Sequence, residues 1–396
     1  MPVNNTPRPI RAFVQLSHGY GAATWHDRWK QGRILGLNEE YAYGYLRGST
    51  PGFVITQSED AREGLIGRAV RYAARLILGF DFVHVWRNRR SIFESDVVWT
   101  HTESQSMAVQ LLLRLYPGRR RPGTIGQSVW LIDRWGRESW KNRLVFRWLL
   151  SGVDILTFLS PCNAADAAKL FPGKRVELVE FGIRADEMVT RPAAPAHEPV
   201  NVLSLGNDRH RDWDTLLKAT ADMPCRLTIG TTDPAARRKI AAWPHARLAT
   251  LSNNTELFAL YDQADVVVVP VGPNRHASGI TAIEEAVARG VAVITTDAGG
   301  LRHYFADDAV CYVPVGDAAA MGRAIQELAA DADRRAAMLA RAQARMRDCL
   351  NSRAYVARHV ALSYEILPAP ARSAAPFPAA VARGPQHPAH PEAGAI

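Results

Sequence analysis

The chain is poor in several features that define whole classes of protein. It has four cysteines in 396 residues, Cys162, Cys225, Cys311 and Cys349, too far apart to frame a disulfide scaffold or a zinc site. No apolar run reaches the ~18 residues that a membrane-spanning helix needs. The longest candidate, 144–159, is broken by Arg147 and Asp154. The N-terminus has no basic cap followed by a long apolar core, so no secretory signal is expected and a cytoplasmic protein is. Neither half has Gly-x-Gly-x-x-Gly after its first strand, which argues against a dinucleotide oxidoreductase. No Asp-x-Asp loop and no histidine cluster stands out, so neither a metal nor a cofactor is expected.

What is present is a globular balance, 47% hydrophobic and 22% charged, with basic charge concentrated in one stretch. Between 61 and 150 there are 16 basic and 7 acidic residues, a net +9 that equals the net charge of the whole chain. The same stretch holds six of the ten tryptophans: Trp86, Trp99, Trp130, Trp135, Trp140 and Trp148. Arginines interleaved with Trp, Leu and Phe suit an anionic membrane surface, rings at the headgroups and guanidinium groups on phosphates. The alternative is a solvated basic face over ordinary core tryptophans. Nucleic acid is not expected, because no binding motif accompanies the charge.

Hydrophobic periodicity gives two α/β series. In the first, strands are expected at 10–17, 96–101, 123–133 and 154–159, and helices at 61–80, 106–116, 137–151 and 163–170. The Pro/Ala-rich stretch 191–199 reads as a linker. After it come strands at 200–205, 226–230, 246–251, 264–269 and 291–295, with helices between them. The expected organisation is a Rossmann-like domain over 1–190, a linker at 191–199 and a second Rossmann-like domain over 200–351. A helix at 352–367 follows. The tail 368–396, with seven prolines and ten alanines, reads as disordered. Strands alternating with helices give parallel, doubly wound sheets, and two such domains face each other across a cleft.

Three loops at strand ends in the second series carry the chemistry. The first runs Gly206-Asn207-Asp208-Arg209-His210-Arg211 into a helix with Leu216-Leu217-Lys218-Ala219. Gly206 lets backbone approach a ligand, and Arg209 and Arg211 are placed to clamp a diphosphate; the bland alternative is a solvent-facing loop. The second, Gly272-Pro273-Asn274-Arg275-His276-Ala277-Ser278-Gly279, opens a helix, and a Gly/Ser loop at a helix start is an anion site. On that helix Glu284 and Glu285 point about 100° apart. One of them therefore faces the ligand and accepts from ribose hydroxyls. The third loop carries the turn Gly299-Gly300.

With these loops in this order, the C-terminal half resembles the family-4, or group 1, retaining glycosyltransferases of the two-Rossmann GT-B fold. The first loop and its Leu-Leu-x-Ala helix match, as does Glu285 followed by Ala286, Ala288, Gly290 and Val293. The family's other motif glutamate, eight positions earlier, is here Ala277, and Ala292 stands for the usual proline. Asn274, His276 or Ser278 would take over the missing contact with the donor sugar. The resemblance covers 201–317 well and the N-terminal half in outline. His101, at the end of the strand 96–101, is similar to a histidine that points into the cleft. His18, Gly19 and Gly21 stand where a glycine loop approaches the donor phosphates, and the helix 352–367 resembles the one that crosses back to the first domain.

The resemblance implies transfer of a sugar from a nucleotide-sugar donor to a saccharide acceptor with retention, without a metal. The leaving diphosphate itself takes the acceptor proton. Arg209 and Arg211 would hold phosphates, Gly299 and Gly300 would donate backbone N–H groups, and Glu285 would take the ribose. Ser278 and Gly279 would lie near sugar or phosphate, and His101 at the donor sugar or acceptor. A basic, tryptophan-rich first domain fits an acceptor carried on a lipid diphosphate at the inner membrane face, as in surface polysaccharide assembly. The alternatives are an inverting transferase with Glu103 or Asp133 as base, a nucleotide-sugar epimerase, and a non-catalytic partner subunit, which Ala277 keeps open.

Overall fold

The computed structural model describes residues 8–368; the expected tail beyond Pro368 lies outside the described residues. Two six-stranded parallel sheets form the frame. The first contains β1 (Ile10–Gln15), β2 (Phe53–Gln57), β3 (Val97–Thr100), β4 (Gly123–Ser128), β5 (Ile155–Phe158) and β6 (Val176–Leu178), in the order β2-β1-β3-β4-β5-β6. The second contains β7 (Val200–Leu205), β8 (Cys225–Gly230), β9 (Ala246–Ala249), β10 (Val266–Val269), β11 (Ala292–Thr296) and β12 (Cys311–Val313), in the order β12-β11-β10-β7-β8-β9. The strand order therefore reverses beside β1 in one sheet and beside β7 in the other. Crevices at the carboxyl ends of strands open at such switch points.

The central strands read as continuous apolar runs because both faces are covered; Val266–Val269 is buried at every residue. The first sheet is covered by α1 (Ala22–Lys30), α2 (Leu65–Leu78), α3 (Phe82–Arg87), α4 (Arg89–Glu94), α5 (Glu103–Leu115), α6 (Leu131–Trp135), α7 (Trp140–Leu150) and α8 (Pro161–Leu170). The second is covered by α9 (Trp213–Thr220), α10 (Pro234–Ala241), α11 (Asn254–Gln263), α12 (Ile280–Ala288), α13 (Ala318–Ala330) and α14 (Ala332–Asp348). The last helix, α15 (Ser352–Ile366), returns to the first domain, where Trp99 donates its indole N–H to Ser363 at 2.9 Å.

Several elements depart from the sequence reading. The strand expected at 123–133 ends at Ser128, and a short helix starts at Leu131. The Ala/Arg-rich stretch after Asp317 forms two helices, because Asp331 ends α13 and caps α14 by accepting from the Arg334 amide at 2.8 Å. The short strands β2, β6 and β12 had no distinct pattern.

Helix α2 has an unusual polarity. Its buried residue is Arg71, held by Glu63 at 2.9 Å and Asp81 at 3.0 Å. Its apolar side chains face out instead: Leu65, Ile66, Leu76 and Ile77 are 81–88% exposed. Each would contribute about 1.5–3 kcal/mol if buried, so the described chain leaves that stabilisation unrealised. Trp140, Leu144 and Trp148 on α7 are also exposed. Among the described residues no helix is long and apolar enough to cross a membrane.

Candidate active site

A cleft of about 800 Å³ separates the two domains, and both walls contribute to it. The ends of β1 and β3 bring His18 and His101 to it, and the ends of β7, β8 and β10 bring Gly206, Thr231 and the loop before α12.

The focus of the second-domain wall is Arg211. Its side chain is enclosed, yet Nε and Nη1 have no hydrogen-bond partner. Two glycines create the space: a Cβ at Gly206 would collide with the guanidinium, and one at Gly279 would lie 2.6 Å from Nη1. Gly279 also has φ of 93°, a left-handed backbone that glycine adopts without strain. Burial lowers the Arg211 pKa to about 10, opposed by Asp208 and Tyr261, so it stays charged at neutral pH. A buried cation with orphaned donors is costly unless an anion completes it. Beside it, Gly279 caps α12, whose first-turn amides are the free donors of a helix start. Together they leave unpaired donors of positive character facing the cleft, an arrangement able to receive an anion.

On α12 the two glutamates separate as their spacing requires. Glu285 lines the cleft and accepts from the Leu37 amide of the first domain at 3.0 Å and from the Tyr261 hydroxyl at 3.3 Å. Burial raises its pKa to about 7 against those two hydrogen bonds. Glu284 points away from the cleft, and both of its oxygens are buried without a partner. Burial, with Glu285 and Glu180 nearby, pushes its pKa well above the usual carboxylate value.

The loop before α12 is organised by Asn274, whose Oδ1 accepts from the amides of His276 at 3.2 Å and Ser278 at 3.1 Å. His276 sits between two carboxylates from different domains, Nδ1 at 2.8 Å from Asp133 and Nε2 at 3.1 Å from Asp208. Burial alone would lower its pKa; the two aspartates more than offset that and raise it to about 9. Ser278 donates to the same Asp208 oxygen at 2.8 Å. Asp208, His210 and His276 are the one grouping among the described residues whose atoms could gather about a metal ion. They already satisfy one another, and no orphaned atom there calls for an ion.

The remaining expected site residues are distributed unevenly. His18, His101, Gly206, Arg211, His276, Ser278, Gly279 and Glu285 line the cleft, whereas Gly19, Arg209, Asn274, Gly299 and Gly300 stand outside its lining. Arg209 is exposed. Gly299 packs on Asn274 and accepts from Ser160 at 2.8 Å, and Gly300 packs on Ser160 and Pro161. That turn therefore supports the domain contact. Glu103 accepts from the Val129 amide at 3.0 Å, and Asp133 also accepts from the Arg275 amide at 2.6 Å. Both carboxylates considered as bases are thus committed to protein partners.

Tyr43 was not visible in the sequence reading. Its backbone is left-handed, φ 59°, a conformation costly for a bulky residue. It holds the ring against His101, with centroids 3.5 Å apart. No sequence signal marks it, since the conformation arises from packing.

Comparison with known proteins agrees with this fold. Residues 203–331 match the family profile described as glycosyl transferases group 1. The chain is similar in fold to sucrose-phosphate synthase from Thermosynechococcus elongatus, with TM-score 0.64 and 18% identity over 90% of this chain and 99% of that one. It is similar also to Anabaena HepE in complex with UDP-glucose, with TM-score 0.62 and 12% identity over 89% and 99%. A third similar structure is the UDP-forming α,α-trehalose-phosphate synthase from Burkholderia xenovorans, with TM-score 0.55 and 12% identity over 89% and 99%. No curated protein sequence matches the chain. Residues 203–331 therefore match a group 1 glycosyltransferase domain, set in the C-terminal half of a chain with the two-domain GT-B fold.

Proposed function

We propose that the protein transfers a hexose, with retention, from a nucleoside diphosphate sugar to a lipid-linked saccharide at a membrane surface. The observation that carries the donor half is Arg211, a buried guanidinium with unpaired donors beside the start of α12. The diphosphate would complete it. As the sugar leaves, negative charge grows on that diphosphate, and preorganised donors there stabilise the transition state. Glu285 would accept from the ribose, and Thr231, Thr232 and Thr250, which line the far end of the cleft, would receive the base. HepE was solved with UDP-glucose, which makes that the first donor to try. Retention is favoured because Glu103 and Asp133 are held by backbone amides, which leaves neither free as a base, and the leaving diphosphate can itself take the acceptor proton.

The acceptor half rests on α2. Its outward Leu65, Ile66, Leu76 and Ile77 lie among Arg62, Arg68 and Arg75, a pairing that fits apolar insertion at anionic headgroups. Arg71, Arg75 and Gly79 of the same segment line the cleft, so a lipid-borne acceptor docked there would lie next to the reacting centre.

The test is turnover with a panel of nucleotide sugars and a polyprenyl-diphosphate saccharide, with the product's anomeric configuration read by NMR. A product that keeps the donor's configuration supports the reading. An inverted product, or hydrolysis and epimerisation with no acceptor consumed, sinks it.

A further inference from the structure

His101 follows β3 and lines the cleft that both domains share. Its proton can be placed by following the hydrogen bonds behind it. The Gln127 side-chain nitrogen donates to the His101 carbonyl at 2.9 Å. A carbonyl only accepts, so the Gln127 amide is fixed with its oxygen on the other side. That oxygen lies 2.6 Å from the Tyr355 hydroxyl, which must therefore spend its one proton there. Tyr45 and Tyr355 hydroxyls are 2.8 Å apart. With the Tyr355 proton already used, Tyr45 is the donor in that contact. The Tyr45 oxygen is also 2.9 Å from His101 Nδ1, and only a proton on Nδ1 can make this last bond.

We infer that the chain Gln127–Tyr355–Tyr45 fixes His101 as the Nδ1–H tautomer, leaving Nε2 as a bare acceptor that reads a sugar hydroxyl in the cleft. Tyr45, Tyr355 and Gln127 are positioning residues, acting through His101. Tyr355 lies on α15, the helix that returns from the second domain, so the tautomer depends on that crossing. Tyr43, stacked on the ring, fixes its plane. The enclosed position, with His359 nearby, also lowers the His101 pKa to about 3, so the ring is neutral and a weak base at neutral pH. Its task is therefore recognition. An acceptor-only nitrogen binds a hydroxyl and offers nothing to a carboxylate or an acyl carbonyl. Where the hydroxyl in question is the one on C6, that contact selects a neutral hexose over a hexuronic acid. This step rests on reading the cleft as the donor-sugar site.

Two measurements on the full chain separate the two claims. Nitrogen-15 NMR on labelled histidine, with His101 assigned by loss of its signals in His101→Asn, reports which ring nitrogen carries the proton. We expect a pyridine-type Nε2 in the wild type. In Tyr355→Phe, Tyr45 is free to turn its proton onto Nδ1, and Nε2 becomes pyrrole-type. UDP-glucose should then bind about tenfold more weakly, the loss of one hydrogen bond, while UDP binds unchanged. A pyrrole-type Nε2 in the wild type overturns the tautomer assignment. A flipped tautomer with unchanged UDP-glucose affinity overturns the reading that the sugar hydroxyl must donate to Nε2, since a hydroxyl could then accept from it instead; a wild type that binds UDP but gains nothing from the glucose overturns the contact itself. If the wild type binds neither, the donor reading of the cleft fails and the sugar contact fails with it, while the NMR still decides the tautomer. Should Tyr355→Phe not fold, Tyr45→Phe removes the last link and should give a mixture of tautomers.

Discussion

The two walls of the cleft are built on opposite principles. On the second-domain wall Arg211 has donors left open by glycines at 206 and 279. On the first-domain wall Glu103 is paired with backbone amides and His101 Nδ1 with Tyr45, and the nitrogens left without a hydrogen bond, His18 Nε2 and Arg134 Nε, lie near the carboxylates of Glu63 and Glu138. An open cation recognises charge and draws it in. A wall whose polar groups are fixed by their own neighbours reads shape and hydroxyl direction. Under the proposed function, the diphosphate would go to the second-domain wall and the sugar and acceptor to the first-domain wall.

The largest expected effect comes from closing the open side. Arg211→Ala should weaken nucleoside diphosphate binding at least about a hundredfold, the loss of charge-assisted bonds to a buried anion. The same change should leave the unliganded protein as stable or more so, because it removes an unpaired buried charge. Calorimetric titration and urea melts measure the two. Gly279→Ala comes next: a side chain at φ 93° costs about 1–2 kcal/mol, and its Cβ presses on Arg211. Its signature is a joint loss of stability and of diphosphate affinity.

The paired side is probed by pH. His276 titrates at about 9 when folded, against about 6.5 unfolded. A raised pKa means that its contribution is complete below pH 6.5 and fades as pH climbs through 9, by on the order of 3 kcal/mol at most. The difference in melting temperature between wild type and His276→Asn should therefore shrink across that window. A difference that stays constant there would show that the Asp133–His276–Asp208 contact does not hold the domains. The smallest effect on folding is expected for Leu65→Ser, Ile66→Ser, Leu76→Ser and Ile77→Ser combined. These side chains touch little, so stability should move by about 0.5 kcal/mol or less per site. Cosedimentation with anionic vesicles should nevertheless be lost.

The second-domain wall was legible in the sequence, and the reasons are local. Gly206, Gly279 and Glu285 lie in short strand–loop–helix units whose geometry follows from their own residues, so a basic residue of the Gly206 loop could be expected at the cleft, where Arg211 lies. Arg209 could not be told from Arg211 that way; the two differ only in which one the chain folds over. The Asp133–His276 contact joins residues 143 positions apart, beyond the reach of any pattern. The α2 periodicity was plain, but periodicity does not say which face is inward, and the inward choice was made by Glu63 and Asp81 holding Arg71. The Gly299-Gly300 turn was recognisable as a loop, yet its packing on Ser160 and Pro161 depends on a domain contact that only the fold reveals.

The central claim is that Arg211 receives the diphosphate of the donor. Titration calorimetry of a nucleoside diphosphate and of its parent nucleoside, against wild type and Arg211→Ala, tests it most directly. The account predicts that the wild type binds the diphosphate far more tightly than the nucleoside, and that this preference collapses in the variant. Equal affinity for diphosphate and nucleoside in the wild type, or an undiminished preference in Arg211→Ala, would contradict it.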